Sequence, residues 1–498
     1  MRSTVSRSCI AISAMLACAA FPLIQPARAG ALTGQTPEHS APAEDRQLAY
    51  RIFKQLIEIN TTHSAGSVTV AASALRTRLL DAGFPAQDVT LDGPSPRKQG
   101  LIAWLRGDNA QSTIVIFAHL DVVEANRADW TVDPFKLTEK DGYFYGRGTQ
   151  DIKENGAIAV ETLIRFKREG FKPSVNLLLL LTADEEVGPE DGMAWLLEHR
   201  PDLFRNVLFA INLDAGDLDL ENGQPRSLGY EVAEKAYADF GLSAVDAGGH
   251  SSLPHPGNPL QRIADGLARL EADPFPLELN PITLGYFRQV GATYDIPTQK
   301  LVAAVIAAPQ DKQALGALAA HSSYFNALLR ATCVPTRFES GQANNALPPK
   351  ATANINCRIL PGHSPAEIEK HLVEAMNDGR IQIQYCSFQG KCGDAPDRAA
   401  PLPPPPLPAV IATLNELTAS LYPGIPVVGE METGASDSIY TIAQGLPTYG
   451  IAAVGIDEDD VRAHGNDERI RQSAFYDGLQ FFYLLLKKAA TQAQVPTH

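Results

Sequence analysis

The sequence predicts an α/β protein built on a mostly parallel sheet flanked by helices, with an α+β domain inserted into it. Two observations predict the sheet: short apolar runs alternate with amphipathic helical patterns, and His or acidic residues follow three of these runs. Such alternation is typical of parallel sheets with helices on both faces. A third observation predicts the insertion, because from about Glu234 the pattern becomes that of a small antiparallel sheet with two helices.

The elements of the main domain follow from apolar periodicity. Leu48, Ile52 and Leu56 recur every four residues and predict the first helix. Continuous aliphatic runs such as Ile114-Val115-Ile116-Phe117 predict buried strands, and Gly83 and Gly170 mark helix ends. The predicted strands are 101–105, 114–118, 143–145, 175–181 and 207–213, and the predicted helices are 44–60, 70–82, 156–169, 411–421 and 472–488.

The inserted domain is predicted from alternating strands and two further helices. The strands are 237–245, 351–360 and 381–386, and the helices are 260–270 and 367–376. The run 402–408 contains four consecutive prolines and is predicted to be a stiff linker. The predicted organisation is a leader at 30–43, a main domain at 44–233 and 401–490, and the inserted domain at 234–400.

Residues 1–29 have the pattern of a signal peptide. Arg2 and Arg7 precede a mostly apolar stretch, and Ala27-Arg28-Ala29 forms an A-x-A cleavage site. We therefore expect export to the periplasm or the medium with cleavage after Ala29. A lipoprotein anchored through Cys18 is the alternative.

Composition excludes several kinds of partner. The chain has 498 residues, which is too long for one compact core, and a net charge of −15, which disfavours nucleic acid and anionic membranes. No stretch of the mature chain is apolar for long enough to span a bilayer. Cys333, Cys357, Cys386 and Cys392 permit two disulfides in three pairings, of which a short Cys386–Cys392 loop is favoured.

Polar residues gather where the predicted parallel strands end, and their types suit a metal site. The candidates are His119 and Asp121, Asp151, Glu185 and Glu186, Asp214, and His464 in a polar loop far downstream. Because the carboxyl ends of parallel strands meet at one edge, we expect these groups to converge. Two His and three carboxylates suit two zinc-type ions, and a neighbouring Glu would remain as a general base for water placed between them.

The motifs that carry these residues resemble a known family. The motifs are His119-Leu120-Asp121, Gly146-Arg147-Gly148-Thr149-Gln150-Asp151, Asp184-Glu185-Glu186, Asn212-Leu213-Asp214 and Ala463-His464-Gly465. From about residue 45 to 488 the chain resembles the zinc-dependent metallopeptidase family of glutamate carboxypeptidase, aminoacylase, the Gly-Xaa carboxypeptidases and succinyl-diaminopimelate desuccinylase.

The resemblance implies a role for each of these residues. His119 and Asp214 would bind one Zn²⁺, Glu186 and His464 the other, and Asp151 would bridge the two; Co²⁺ or Mn²⁺ could replace zinc. Glu185 would be the general base, and later the acid toward the leaving amine. Asp121 would orient His119.

The resemblance also identifies the inserted domain as a lid through which some members dimerise. His250 would stabilise the oxyanion, in dimers across the subunit interface, and Asn345 and Arg358 would hold the substrate. Gly434-Ala435-Ser436-Asp437 would line the other side of the pocket. Two departures affect the expected pocket: Glu154-Asn155 follows Lys153, and the lid is long between 270 and 331, where Pro274, Pro276 and Pro281 fall in no predicted element.

The predicted function is an exported di-zinc metallohydrolase that cleaves a peptide or amide bond beside a free carboxylate. An N-acyl-amino-acid amidohydrolase is the alternative, because the two activities differ only on the acyl side. A non-catalytic periplasmic binding protein is a third interpretation, but it would not need Glu185 beside Glu186. A G-x-S-x-G nucleophile motif is absent from the sequence.

Overall fold

In a computed structural model of the chain, the described residues are 40–188, 191–387, 391–397, 399 and 402–492. The helices are α1 Ala43–Glu58, α2 Val68–Asp81, α3 Lys153–Glu169, α4 Met193–His199, α5 Pro259–Ala272, α6 Pro281–Val290, α7 Ile296–Ala307, α8 Lys312–His321, α9 Ser323–Leu329, α10 Pro365–Met376, α11 Pro408–Leu421, α12 Ser438–Ala443 and α13 Gln472–Gln492. The predicted signal peptide and most of the predicted leader lie outside the described residues.

The strands divide among a central sheet, a lid sheet and two small sheets. They are β1 Val89–Asp92, β2 Gly100–Leu105, β3 Asn109–His119, β4 Thr138–Lys140, β5 Tyr143–Tyr145, β6 Val175–Thr182, β7 Val207–Asn212, β8 Leu218–Glu221, β9 Gln224–Glu234, β10 Ala236–Val245, β11 Gly249–His250, β12 Thr332–Ser340, β13 Ala346–Leu347, β14 Lys350–Ile359, β15 Gln382–Cys386, β16 Cys392–Gly393, β17 Val427–Glu432, β18 Thr448–Gly450, β19 Ile456–Asp457 and β20 Arg469–Arg471.

The central sheet has the order β1-β2-β6-β3-β7-β18-β9-β8-β19, with β17 paired to β9. Its middle is parallel, because β3 runs parallel to β6 and β7, and β18 runs parallel to β7. Antiparallel pairs occur toward the edges, at β1–β2, β2–β6 and β8–β9. The predicted α/β class is confirmed, with a sheet that is mixed at its margins.

Helices cover both faces of β3, which explains its uninterrupted apolar sequence. Alternate side chains of a strand point to opposite faces. Ile114 and Ile116 join the core beneath α1, α3 and α13, whereas Val115 and Phe117 pack with Met193 of α4 on the other face. A strand buried on both sides has no solvated position, so it reads as a continuous apolar run.

The inserted region contains a separate antiparallel sheet in the order β12-β14-β10-β15-β16. Helices α5 and α10 cover one face, where Phe240, Leu242 and Ile355 are buried. Two disulfides fasten this sheet: Cys333–Cys357 joins β12 to β14, and Cys386–Cys392 joins β15 to β16. The favoured Cys386–Cys392 disulfide is therefore present, and the two remaining cysteines form the second disulfide.

The long segment between 270 and 331 forms α6 to α9, which the sequence analysis did not predict. Pro281 begins α6, and the Asn280 side chain before it accepts hydrogen bonds from the Ile282 and Thr283 amides. A cap followed by Pro at the first helical position is a helix-start signal. Phe287 and Leu318 of this bundle pack with Val428 and Met431 of β17. These helices therefore extend the core of the central sheet.

No helix of the described residues is both long enough and apolar enough to cross a membrane.

Candidate metal centre

Three parallel strands deliver polar groups to one edge of the central sheet. His119 is the last residue of β3, where it stands opposite Thr182 of β6, and Phe117 stands opposite Asn212 of β7. Backbone hydrogen bonding between the two segments continues just beyond β3, since the Leu120 amide donates to the Thr182 carbonyl over 3.0 Å. The predicted convergence of the segments after β3, β6 and β7 is thus a consequence of strand register.

One group of potential ligands consists of His119, Asp151 and Asp214. His119 Nε2 lies 3.0 Å from Asp151 Oδ1 and 3.8 Å from Asp214 Oδ1, and one ligand atom from each residue lies within 4.8 Å of the others. His119 is 1% exposed. This spacing suits a single cation in contact with all three side chains.

A second group consists of Asp151, Glu186 and His464. His464 Nε2 lies 3.0 Å from Asp151 Oδ2 and 2.9 Å from Glu186 Oε2, again with one ligand atom of each residue within 4.8 Å of the others. Asp151 belongs to both groups and turns one carboxylate oxygen toward each. The structure thus brings together the residues of each predicted ligand set, with Asp151 common to both groups.

Asp121 fixes both His119 and the Glu185–Glu186 turn. His119 Nδ1 lies 3.0 Å from the Asp121 backbone carbonyl and 3.4 Å from its Oδ1. The Asp121 carboxylate accepts hydrogen bonds from the backbone amides of Glu185 at 3.2 Å and Glu186 at 3.1 Å. Asp121 therefore contacts both the candidate ligand His119 and the turn that carries the predicted base Glu185 and the candidate ligand Glu186.

The Glu185 side chain receives no hydrogen bond from the described residues, although it interacts electrostatically with His119 and Asp214 of the first group and with Glu186 of the second. Burial and then the neighbouring Asp214 carboxylate raise the pKa of Glu185 well above its usual range. Perturbed carboxyl groups of this kind are typical of general bases and acids. The location of Glu185 is thus compatible with proton transfer.

The charge distribution fits two divalent cations. Burial raises the pKa of Glu186 and of Asp214, and the neighbouring His464 and His119 offset this effect only in part. Hydrogen bonds to Asp151 and Glu186 raise the pKa of His464 to about 10. Grouped carboxylates of this kind are costly to bury without a counter-ion. Imidazole nitrogens and carboxylate oxygens are ligands that Zn²⁺ and similar metals accept.

The loop at 434–437 is anchored against the same edge of the sheet. The buried Asp437 accepts a hydrogen bond from Thr182 Oγ1 at 3.0 Å. The Ser436 hydroxyl donates to Glu234 at 2.8 Å and accepts from Asn212 Nδ2 at 2.9 Å. These contacts hold the loop beside the strands whose ends carry the candidate ligands, and its predicted role in lining the pocket stays a prediction. Its partners Thr182 and Glu234 were not predicted, since they lie in strands and carry no motif.

Arg147 and Glu468 also belong to the site, although the sequence analysis gave them no role. Both are buried, and Arg147 Nη1 donates to Glu468 Oε2 over 2.5 Å. Arg147 stands inside the glycine turn that leads to Asp151, and Glu468 closely follows His464. The place of Arg147 inside one ligand motif, and of Glu468 four residues after His464, is the signal that could have identified them.

The predicted lid residues form a separate group. His250 of β11 pairs with Ala346 of β13, and the Ser251 amide donates to the Asn345 carbonyl over 3.0 Å, so His250 and Asn345 are neighbours. His250 Nδ1 lies 2.7 Å from Ser252 Oγ. Arg358 of β14 stacks over the Tyr237 ring at 4.9 Å. In the part of the chain that the structure describes, no hydrogen bond joins these lid residues to the ligand groups.

The fold and the paired candidate ligand groups are typical of a metallohydrolase. A family comparison agrees, since residues 115–488 match the description Peptidase family M20/M25/M40. The chain belongs to this family, and it is therefore an enzyme of the metallopeptidase and amidohydrolase class. The predicted family is confirmed.

Known relatives carry both kinds of activity in their names. The chain is 28% identical to the N-fatty-acyl-amino acid synthase/hydrolase PM20D1 of Xenopus tropicalis, over 77% of this chain and 74% of that protein. It is 26% identical to the probable carboxypeptidase S-like 2 of Dictyostelium discoideum, over 77% of this chain and 73% of that protein.

Solved structures share the fold at low sequence identity. The metallo-carboxypeptidase Sso-CP2 from Sulfolobus solfataricus superposes with a TM-score of 0.63 at 18% identity, covering 89% of this chain and 99% of its own. The YXEP protein of Bacillus subtilis, described as a dinuclear metal binding peptidase, has a TM-score of 0.54 at 12% identity, over 90% and 98% of the chains.

Proposed function

We propose that the protein is an exported di-zinc hydrolase that cleaves a peptide or amide bond next to a free carboxylate. The observation that carries the proposal is the position of Asp151, whose two oxygens each lie 3.0 Å from a different His, His119 and His464. A shared carboxylate between two such groups suits a pair of cations, and Glu185 directly precedes Glu186, a member of the second group.

His119, Asp151, Glu186, Asp214 and His464 would hold the two ions. Divalent ions at this position supply polarisation of the scissile carbonyl and acidification of water. Glu185 takes a proton from the attacking water and returns it to the leaving amine. Glu185 directly precedes the ligand Glu186, and its backbone amide donates a hydrogen bond to the Asp121 carboxylate. Glu185 therefore stays near the metal ions without binding them.

The defining experiment measures amine release by the mature protein on a mixed panel. The panel holds dipeptides, longer peptides and N-acyl amino acids, each with and without a chelator and with zinc added back. Chelator-sensitive release that zinc restores is the expected result. Release that is insensitive to a strong chelator would contradict a metal-dependent mechanism.

An N-acyl-amino-acid amidohydrolase is the second candidate. It is favoured by the relative from Xenopus tropicalis, whose name specifies N-fatty-acyl-amino acids. In both reactions the substrate carries a free carboxylate on the amine side of the scissile bond. The same lid residues could therefore bind either kind of substrate. The ratio of kcat/KM for an N-acyl amino acid to that for the dipeptide with the same C-terminal residue decides between them.

Replacing Arg358 with alanine is expected to raise KM about 10-fold or more for substrates with a free carboxylate. A charge-assisted, bidentate contact to a carboxylate contributes roughly 1.5–3 kcal/mol. Substrates with an amidated C-terminus serve as the comparison, and they should be nearly unaffected. The matched control is Arg337→Ala, which removes an exposed arginine from the neighbouring strand β12. Equal effects on both substrate types would refute the contact.

His250→Ala is expected to lower kcat more than it raises KM, because an oxyanion contact forms mainly in the transition state. Loss of one such donor costs about 10²- to 10³-fold in kcat. His255→Ala in the same loop is the control and should leave kcat within about threefold of wild type. An effect of His250→Ala confined to KM would assign this residue to substrate binding instead.

The lid edge supports our proposal that the protein is a homodimer. Strand β12 is the outer strand of the lid sheet, and Val334 and Phe338 on it are 54% and 42% exposed. A groove of about 1000 Å³ runs between β12 and α5. Exposed apolar edges are typical of association surfaces. Light scattering of the mature protein measures the mass, and a single-chain mass at micromolar concentration would contradict a dimer.

Export remains a proposal drawn from the first 29 residues. The two disulfides of the lid support it, because such bonds persist in oxidising compartments. Sequencing of the protein recovered outside the cytoplasm should give Gly30 as the first residue. A lipid-modified Cys18 at the amino terminus would instead favour the lipoprotein alternative.

A further inference from the structure

The candidate metal ligands come from two different sheets. His119, Glu186 and Asp214 follow strands of the central sheet. Asp151 and His464 instead come from loops at the paired strands β5 and β20 of the small sheet β20-β5-β4. The group around His464 thus takes two of its three ligands from the small sheet, whereas the group around His119 takes one. The geometry of the group around His464 therefore depends more strongly than that of the other group on how the two loops are held together.

Arg147 joins these loops directly. It lies in the turn that leads from β5 to Asp151, and its Nη2 donates to the carbonyl oxygens of His464 at 3.3 Å and Gly465 at 3.0 Å. Its Nη1 donates to Glu468. One guanidinium therefore holds the backbone of the ligand His464 from the opposite loop, across about three hundred residues of sequence.

Glu468 makes the reciprocal contacts. Its carboxylate accepts hydrogen bonds from the backbone amides of Gly148 at 3.2 Å, Gln150 at 2.6 Å and Asp151 at 3.3 Å. Those amides belong to the turn that presents Asp151. Each loop thus supplies a charged side chain that binds the backbone of the other, and the two side chains bind each other.

This arrangement is buried, which makes it rigid. Glu468 is fully buried and Arg147 is 2% exposed, with its guanidinium over the Trp130 ring at 5.1 Å. Charge-assisted hydrogen bonds are strong where water does not compete. The left-handed backbone of His464, with φ of 63°, needs such support because this conformation is unfavourable for a residue with a side chain.

We propose that Arg147 and Glu468 form a clasp that sets the separation of Asp151 and His464, and thereby the affinity for the ion held by Asp151, Glu186 and His464. Both are positioning residues and neither contacts the reacting atoms. The inference rests on the two-metal centre of the proposed function. Groups that orient metal ligands typically change metal affinity by about 10- to 100-fold.

The test compares stepwise metal binding by wild type and Arg147→Lys. Metal-free protein is titrated with Zn²⁺ by calorimetry, and Co²⁺ spectra report the two sites separately. Arg147→Lys keeps the buried positive charge but loses the planar fork. The expected result is a roughly 10- to 100-fold weaker second ion, with the first ion within about threefold. Excess Zn²⁺ should restore most of the activity.

Two further variants make the result decisive. Glu468→Gln should show the same selective loss, because an amide cannot accept the three backbone hydrogen bonds of the carboxylate in the same way. Arg471→Lys is the matched control, since Arg471 of β20 pairs with the buried Asp457 of β19 and, among the described residues, makes no hydrogen bond to Asp151 or His464. Thermal unfolding of each metal-free protein verifies that it is folded.

The outcomes separate the clasp from the proposed function. If wild type binds two ions and both variants bind them with unchanged affinity, the clasp is refuted. Equal weakening of both ions, matched by Arg471→Lys, would indicate general destabilisation and would also refute it. If wild type itself binds fewer than two ions, the two-metal proposal fails, and the inference fails with it.

Discussion

Replacing Glu185 with glutamine is expected to lower kcat by about 10²- to 10⁴-fold while both metal ions stay bound. The reason is chemical: glutamine has nearly the same shape but cannot accept a proton from water. The side chain is not a member of either ligand group, and its backbone amide would still donate to Asp121. Single-turnover kinetics together with metal analysis of the purified variant measure the effect.

The neighbouring residue supplies the control. Glu186→Gln makes the identical chemical change one position along the chain, but it removes a carboxylate that lies 2.9 Å from His464 Nε2. This variant should lose affinity for one ion and regain activity in excess zinc, whereas Glu185→Gln should not be rescued. Turnover close to wild type in Glu185→Gln would exclude Glu185 as the base.

Asp151→Asn is expected to lower activity strongly through loss of metal. An asparagine carbonyl can serve one ion, but its NH₂ group would face the other His, where a ligand oxygen now stands. Loss of metal polarisation removes several kcal/mol of transition-state stabilisation, so kcat/KM should fall on the order of 10³-fold. Metal content should fall below two ions per chain.

The control for this variant is Asp141→Asn, the same substitution at an exposed turn between β4 and β5. Asp141 and Gly142 both have positive φ, and asparagine tolerates this conformation as well as aspartate does. Metal content and activity should be unchanged there. An Asp151→Asn protein that still holds two tightly bound ions would show that Asp151 is not a shared ligand.

Much of the site could be predicted because it depends on local sequence and one general rule. The apolar run before His119 predicts a buried strand, and parallel strands end at the same edge. This rule brings His119, Glu186 and Asp214 together without knowledge of any long-range contact. Because strands were predicted from apolar runs, strands that contain acidic residues were missed. Strands β9 and β17 carry Glu231, Glu234 and Glu430, which break the apolar pattern.

The helices α6 to α9 were missed although their start signals are present. Asn280 before Pro281 and Asp295 before α7 are recognisable caps. Their apolar residues did not suggest a place in the fold, because their partners Val428 and Met431 lie far along the chain in β17. Propensity and caps identify a helix, but only packing decides what it covers.

The sequence by itself determined the fold class, the family and the candidate metal ligands, because apolar periodicity and short motifs are local properties. Only the tertiary structure decided that Asp151 presents one oxygen to each His, that Asp121 holds the Glu185–Glu186 turn, and that Arg147 and Glu468 join the two loops. These features arise from contacts between residues separated by up to about three hundred positions. Such contacts depend on how the sheets pack, which no local pattern specifies.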